Sequence, residues 1–185
     1  MAATPSNMLP LGTPAPAFNL LDTVSGQTVS LTDRKSDKAN VVMFICNHCP
    51  YVKHINPELV KVGNDFQPKG VAFFAISAND AVQYPDDGPD QMKETAEALG
   101  YPFPYLYDES QEVAQAYRAA CTPDFYVFDG DLKLVYRGQF DDSRPRNDVP
   151  VTGADLRAAI EAVLAGDSPS PNQKPSLGCN IKWKA

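Results

Sequence analysis

The sequence predicts an α/β chain built on one mixed central sheet with helices on both faces, an N-terminal β-hairpin and a C-terminal tail. Three observations carry that prediction. Two continuous apolar runs, residues 40–45 and 70–77, have the character of strands buried on both faces. Between them Val52, Ile55, Leu59, Val62 and Phe66 recur at helical spacing, the βαβ pattern that sets neighbouring strands parallel. Further on, Asp129-Gly130 between two strand-like segments is a strong hairpin signal, which makes the rest of the sheet antiparallel.

Residues 1–16 are rich in Pro and Ala without periodicity, and are expected to form an irregular arm lying on the domain. Residues 18–22 and 27–31, joined through Ser25-Gly26, predict the first hairpin. The helix over 51–66 contains Pro57, which removes one backbone donor and predicts a kink. Residues 79–89 form a polar loop with turn chemistry, and the acidic stretch 80–90 is expected to be solvated. A helix follows over about 90–99, then a short extended piece at 102–107. Tyr101, Phe103, Tyr105 and Tyr107 in this region are expected to be core and sheet surface. A helix over 110–119 has Ser110 as its cap. Strands at 125–128 and 132–137 flank Asp129-Gly130. The last helix, 154–164, is expected to start at a Thr152 cap and end at Gly166. There is no internal repeat and no second domain; the expected division is one domain over 1–185, with a core at about 10–165 and a tail at 166–185.

Composition bounds the function. Hydrophobic residues at 43% and charged residues at 21% are ordinary for a globular chain, and 185 residues bury a core without disulfide staples. The net charge of −7 leaves no basic stripe to displace counterions from phosphates, so nucleic acid is not an expected partner. No apolar run approaches the ~20 residues that cross a bilayer. Residues 1–16 lack the basic start and apolar middle of a signal peptide, so the expected location is the cytoplasm. Four cysteines are too few for a disulfide scaffold, and two of them, Cys46 and Cys49, sit three apart.

That pair is the strongest feature: Cys46-Asn47-His48-Cys49-Pro50 follows a buried strand and opens a helix. The spacing puts both sulfurs on one side of the first turn. Cys46 is expected at the helix N-terminus, where unpaired N–H groups and the helix dipole favour the thiolate, the form that attacks disulfides. Pro50 suits an early helical position because it has no N–H to lose. His48 offers a hydrogen-bond donor or a positive charge near the Cys46 sulfur. Cys46 is therefore the expected nucleophile and Cys49 the resolving thiol. Two plainer readings stand beside this one: a pair of buried core cysteines, or a zinc knuckle, for which Cys121 and Cys179 are single and distant in sequence.

Cys121-Thr122-Pro123-Asp124-Phe125 completes a pattern that resembles the thioredoxin superfamily, with Cys46 and Cys49 on its C-x-x-C pair and Pro123 on its cis-proline. The resemblance implies a thioredoxin-like fold, a Pro123 packed against the disulfide and a Thr122 backbone able to pair with an extended substrate. The hairpin beginning near Pro16-Ala17-Phe18 is similar to the peroxiredoxin-like AhpC/TSA branch, over roughly residues 10–165. C-N-H-C-P-Y-V, N-D-A-V-Q-Y-P-D-D-G-P, C-T-P-D-F and G-C-N-I-K-W-K resemble segments of thioredoxin-family proteins in that branch. One departure matters. A peroxiredoxin P-x-x-x-T-x-x-C signature aligned on Cys49 would need Pro at Val42 and Thr at Cys46, and Thr122-Pro123-Asp124 occupies the region of the activating Arg.

The first functional expectation is thus a thiol–disulfide oxidoreductase, with a redox-active disulfide, no other cofactor and no metal. Its partners would be protein or small-molecule thiols and disulfides and an electron donor the sequence does not name. The alternatives are a thiol peroxidase and a non-enzymatic metal module in which Cys46, Cys49 and Cys121 hold a soft ion such as Cu(I). Cys121 is a third redox thiol, a metal ligand or a small buried residue. Cys179, flanked by Leu177, Ile181 and Trp183, predicts a docked tail near the site, where Cys179 receives a disulfide from Cys46 or pairs with Cys121. His54 is expected to face solvent or bond locally.

Overall fold

Strand formation begins where side chains can be buried on both sides of a sheet. Ala39–Phe44 (β4) and Val71–Ser77 (β5) are those segments, and they pair in parallel, Ala39 opposite Val71 through Phe44 opposite Ile76. The computed structural model describes residues 3–185; Met1 and Ala2 lie outside them. The chain runs Thr4–Pro5 (β1), Asn19–Asp22 (β2), Thr28–Ser30 (β3), Leu31–Arg34 (α1), β4, Pro50–Phe66 (α2) and β5. It continues through Pro89–Leu99 (α3), Tyr105–Tyr107 (β6), Glu112–Ala116 (α4), Cys121–Thr122 (β7), Asp124–Asp129 (β8), Leu134–Gly138 (β9), Ala154–Leu164 (α5) and Leu177–Asn180 (β10).

Seven strands form the main sheet in the order β3-β2-β6-β5-β4-β8-β9. The β4, β5 and β6 strands are parallel, and antiparallel pairs flank them on both sides. This is the mixed sheet the sequence predicts. Because strand side chains alternate, Val41 and Met43 point into one core with α2, α3 and α5, while Val42 and Phe44 point into another with α1 and Tyr117. No helix among the described residues is long and apolar enough to cross a membrane.

Helix α2 retains Pro57. Burial of Val52, Ile55, Leu59, Val62 and Phe66 contributes about 1.5–3 kcal/mol each, which together stands well above the ~3 kcal/mol an internal proline costs. Local expectations fail at four element ends. Leu31 starts α1 under a Ser30 cap instead of ending the hairpin. Helix α4 is shorter than predicted and starts after Gln111 at φ 67, with Ser110 Oγ accepting only from the Glu112 N–H. Helix α5 starts after Gly153 at φ 68, while Thr152 Oγ1 accepts from Ala154. Left-handed backbone displaces the side-chain cap in both cases. The N-terminal arm is not wholly irregular, since β1 pairs with β10 and Pro14 bridges Lys133.

A second, three-stranded antiparallel sheet, β1-β10-β7, positions the site. It is made of the two chain ends and the two residues before Pro123. Ile181 is buried here, but Trp183 remains 42% exposed, so the tail docks without its tryptophan.

Candidate functional site: a thiol cluster at the sheet edge

At the end of β4 the Ile45 N–H donates to the Ile76 carbonyl, and the chain turns away from the sheet through Cys46. Cys49, not Cys46, occupies the helix N-cap. Its carbonyl accepts from the Val52 and Lys53 N–H groups, and Pro50 is the first helical residue. The expected order is reversed because Cys46, Asn47 and His48 make the turn and only Cys49 reaches the helix.

The Thr122–Pro123 peptide is cis and faces the pair. Cys46 Sγ lies 3.5 Å from Thr122 Oγ1, and Cys49 Sγ lies 3.3 Å from the Thr122 carbonyl oxygen. On the other side, β10 pairs with β7, with Cys179 opposite Thr122 and Asn180 opposite Cys121. The sulfurs of Cys49 and Cys179 are 2.8 Å apart. The tail therefore does fold back, and the thiol beside Cys179 is Cys49. Of the readings open for Cys121, the structure fits the small buried residue: it is 0% exposed and is neither beside Cys179 nor in the donor set with Cys46. Its thiol donates to the Pro123 carbonyl at 3.7 Å, because β7 turns that side chain away from the cluster.

Asp87 is the residue that sequence reasoning missed. The acidic loop is not solvated where it matters: Asp87 is 0% exposed and Asp80 is buried. Asp87 accepts from the Asn47 N–H at 2.8 Å, the His48 N–H at 3.2 Å and Asn79 Nδ2 at 2.9 Å, and it pairs with His48 Nδ1. Among the described residues the Asn47 and His48 amides have no other partner where the chain turns, which explains why a carboxylate is drawn inward. Tyr84 stacks on His48 at 5.7 Å, and the Tyr105 hydroxyl donates to Asn47 Oδ1. The expected core character of Phe103 and Tyr105 holds. The available signal for Asp87 was the N-D-A-V-Q-Y-P-D-D-G-P segment, whose composition reads the same for a buried turn and a solvated one.

Electrostatics divide the thiols. The Cys49 thiol is lowered to about 5, chiefly by the hydrogen bond from Cys46, against burial and helped by Cys179, Thr122 and the Val52 N–H. Cys46 is pushed well above the ordinary thiol value by donating to Cys49, by burial and by the negative Asp87. Cys179 is pushed up to about 12 by burial and by donation to Cys49. For metal binding, the donor set among the described residues is Cys46, His48 and Asp87, with ligand atoms within 4.8 Å of one another. In this arrangement Asp87 is already committed to His48 and the loop amides. His54 departs from expectation: it is half-buried, and its Nε2 is buried without a hydrogen-bond partner among the described residues.

Comparison with known proteins places this geometry in context. The AhpC/TSA family model matches residues 11–137. An uncharacterized conserved protein from Geobacillus kaustophilus is 64% identical over 100% of this chain and 97% of its own, with a TM-score of 0.98. A hypothetical protein from Sinorhizobium meliloti 1021 is 49% identical over 98% and 99%, at 0.96. The thioredoxin domain of a thiol-disulfide oxidoreductase from Bacteroides vulgatus is 26% identical, over 70% of this chain and 89% of that one, at 0.59. No curated protein matches the chain. A mixed sheet with a C-x-x-C turn, a cis Thr122–Pro123 and a family match over more than half its length mean that the chain belongs to the AhpC/TSA family, within the thioredoxin superfamily.

Proposed function

We propose that the protein is a thiol–disulfide oxidoreductase whose Cys46 and Cys49 cycle between dithiol and disulfide. The observation that carries this reading is the Cys49 sulfur at a helix N-cap, facing the cis Thr122–Pro123 peptide and hydrogen-bonded to a second thiol. Helix N–H groups and donated thiol protons stabilise negative charge on sulfur, and the thiolate is the reactive form. The starting thiolate is Cys49, with Cys46 holding the proton, the reverse of the order expected from sequence. Asp87 and His48 are positioning residues that fix the Cys46–Cys49 turn. The chemistry uses sulfur alone, and its partners are thiols and disulfides, in keeping with the name of the Bacteroides vulgatus neighbour.

Disulfide mapping and redox titration of wild type beside Cys46→Ser test this. The expected result is a reversible Cys46–Cys49 disulfide, absent from the variant. Absence of that bond, with a metal equivalent copurifying instead, would make the site a coordination centre and sink the proposal.

The pH dependence follows with a definite sign. With Cys49 held at about 5, against an ordinary 9.0, the folded chain loses this proton at lower pH than the unfolded one. From about pH 5 to 9 the unfolded state binds more protons at this thiol. Its contribution to the stability of the reduced protein therefore rises with pH and is lost as pH falls through about 5. Urea titrations of reduced Cys49→Ser should lack that rise; an identical pH slope in both proteins would contradict a low-pKa Cys49.

A further inference from the structure

The tail does more than cover the site. Cys179 sits opposite Thr122 in an antiparallel register, beside the cis Thr122–Pro123 peptide. The fit is close: a Cβ at Gly178 would lie 1.9 Å from the Thr122 carbonyl oxygen, so only glycine lets β10 approach so tightly. On one side the Cys179 sulfur is 2.8 Å from Cys49. On the other, Cys179 lines a cavity of about 370 Å³ with Pro50, Tyr51, Arg144 and Arg146. Exposure follows the same order, 0% at Cys49, 1% at Cys46 and 7% at Cys179. The only one of these three sulfurs that lines this cavity is the one on the tail.

We propose that Cys179 is a third redox thiol, which takes the disulfide from Cys46–Cys49 onto a Cys49–Cys179 bond and presents it to a small anionic thiol in the Arg144/Arg146 cavity. The inference rests on the proposed redox pair. In the first step the Cys179 thiolate attacks Cys49 Sγ. The Cys49–Cys179 bond forms, the Cys46–Cys49 bond breaks, and Cys46 leaves as a thiolate and takes up the proton that Cys179 lost. This is an isomerisation with no net oxidation. In the second step a thiolate in the cavity attacks Cys179 Sγ and Cys49 leaves; a leaving thiol of low pKa departs readily. A second external thiol attacks the outer sulfur of the resulting mixed disulfide and releases Cys179. Two external thiols become one disulfide, and one protein disulfide becomes two thiols, with their protons passing to the protein sulfurs. The cavity size suits a small molecule; the Arg144 guanidinium is held by the Asp141 and Ser143 carbonyls and Gln139 Oε1, and Arg146, which also lines the cavity, suits a carboxylate-bearing one.

The test is a non-reducing peptide map after oxidation with oxidised glutathione, on wild type and on Cys46→Ser. Cys46→Ala serves if the serine variant does not fold. The expected result is a Cys46–Cys49 bond in wild type and a Cys49–Cys179 bond in most molecules of the Cys46 variant. Reduction of the oxidised Cys179→Ser protein by glutathione should be slower than wild type by about tenfold or more, because its buried disulfide lacks the outward-facing sulfur. If wild type forms Cys46–Cys49 but the Cys46 variant carries only glutathione on Cys49, the relay is wrong and the redox pair stands. Equal reduction rates in wild type and Cys179→Ser would likewise overturn the relay. If wild type forms no Cys46–Cys49 bond, the proposed function fails first.

Discussion

Cys49 and Cys179 touch across the site, yet they are held there by different physics. Cys49 ends a turn between β4 and α2, two elements packed into the apolar cores of the main sheet. Cys179 rides on a tail that enters those cores only through Cys179 and Ile181 and is otherwise fixed by polar contacts. The Ser6 N–H donates to the Ser176 carbonyl, the Lys182 N–H to Asn79 Oδ1, the Asp80 N–H to the Lys182 carbonyl and the Ile181 N–H to the Ala120 carbonyl. Hydrophobic burial is worth about 1.5–3 kcal/mol per large side chain, whereas a net hydrogen bond adds about 0.5–1.5 kcal/mol. One wall of the site is therefore expected to move only with the fold, and the other to open at lower cost.

Substitutions on each wall should separate accordingly. The largest effect belongs to the β4 wall. Phe44→Ala removes a fully buried ring at the end of β4, between Tyr117 and Tyr126, and should cost about 3–5 kcal/mol of unfolding free energy in urea titrations. A cost below about 1 kcal/mol would mean that β4 is not the anchor of the pair. Next is Asp87→Asn. It keeps an acceptor but removes the charge that faces His48 and the loop amides, and should cost about 1–3 kcal/mol. Because the Asp87 charge helps raise Cys46, the thiol of that residue should also titrate lower in the variant, as followed by thiolate absorbance. An unchanged Cys46 titration would separate Asp87 from the thiols and leave it a loop residue.

The same division governs what the sequence made legible. The core elements announce themselves through periodicity: the apolar run of β4, the helical stripe of α2 and the Asp129-Gly130 hairpin all appear where predicted. Cys46, Cys49, Thr122 and Pro123 were readable because they stand at fixed offsets from those elements. Asp87 and the register of β10 were not. A carboxylate drawn inward to satisfy Asn47 and His48 amides leaves no periodic trace, since its partners lie some forty residues away. Two-residue strands such as β7 are too short to show alternation, so the sequence suggested a docked tail but named Cys46 and Cys121, not Cys49, as neighbours of Cys179.

The tail wall is sharpest at Gly178. Valine there places a Cβ 1.9 Å from the Thr122 oxygen and 2.6 Å from its carbonyl carbon, and both are backbone atoms that cannot step aside. The strand must lift. Since the tail adds only Cys179 and Ile181 to the two main cores, Gly178→Val should change global stability far less than Phe44→Ala. It should uncover Cys49, whose sulfur is otherwise closed off by Cys179. Alkylation of the reduced variant by iodoacetamide should be faster at Cys49 by about tenfold, equivalent to about 1.4 kcal/mol of docking free energy removed. If the variant instead unfolds as readily as Phe44→Ala, the tail is part of the cooperative core and the two walls are one. If alkylation and stability are both unchanged, β10 does not seal Cys49 in solution, and access to the pair does not depend on the tail.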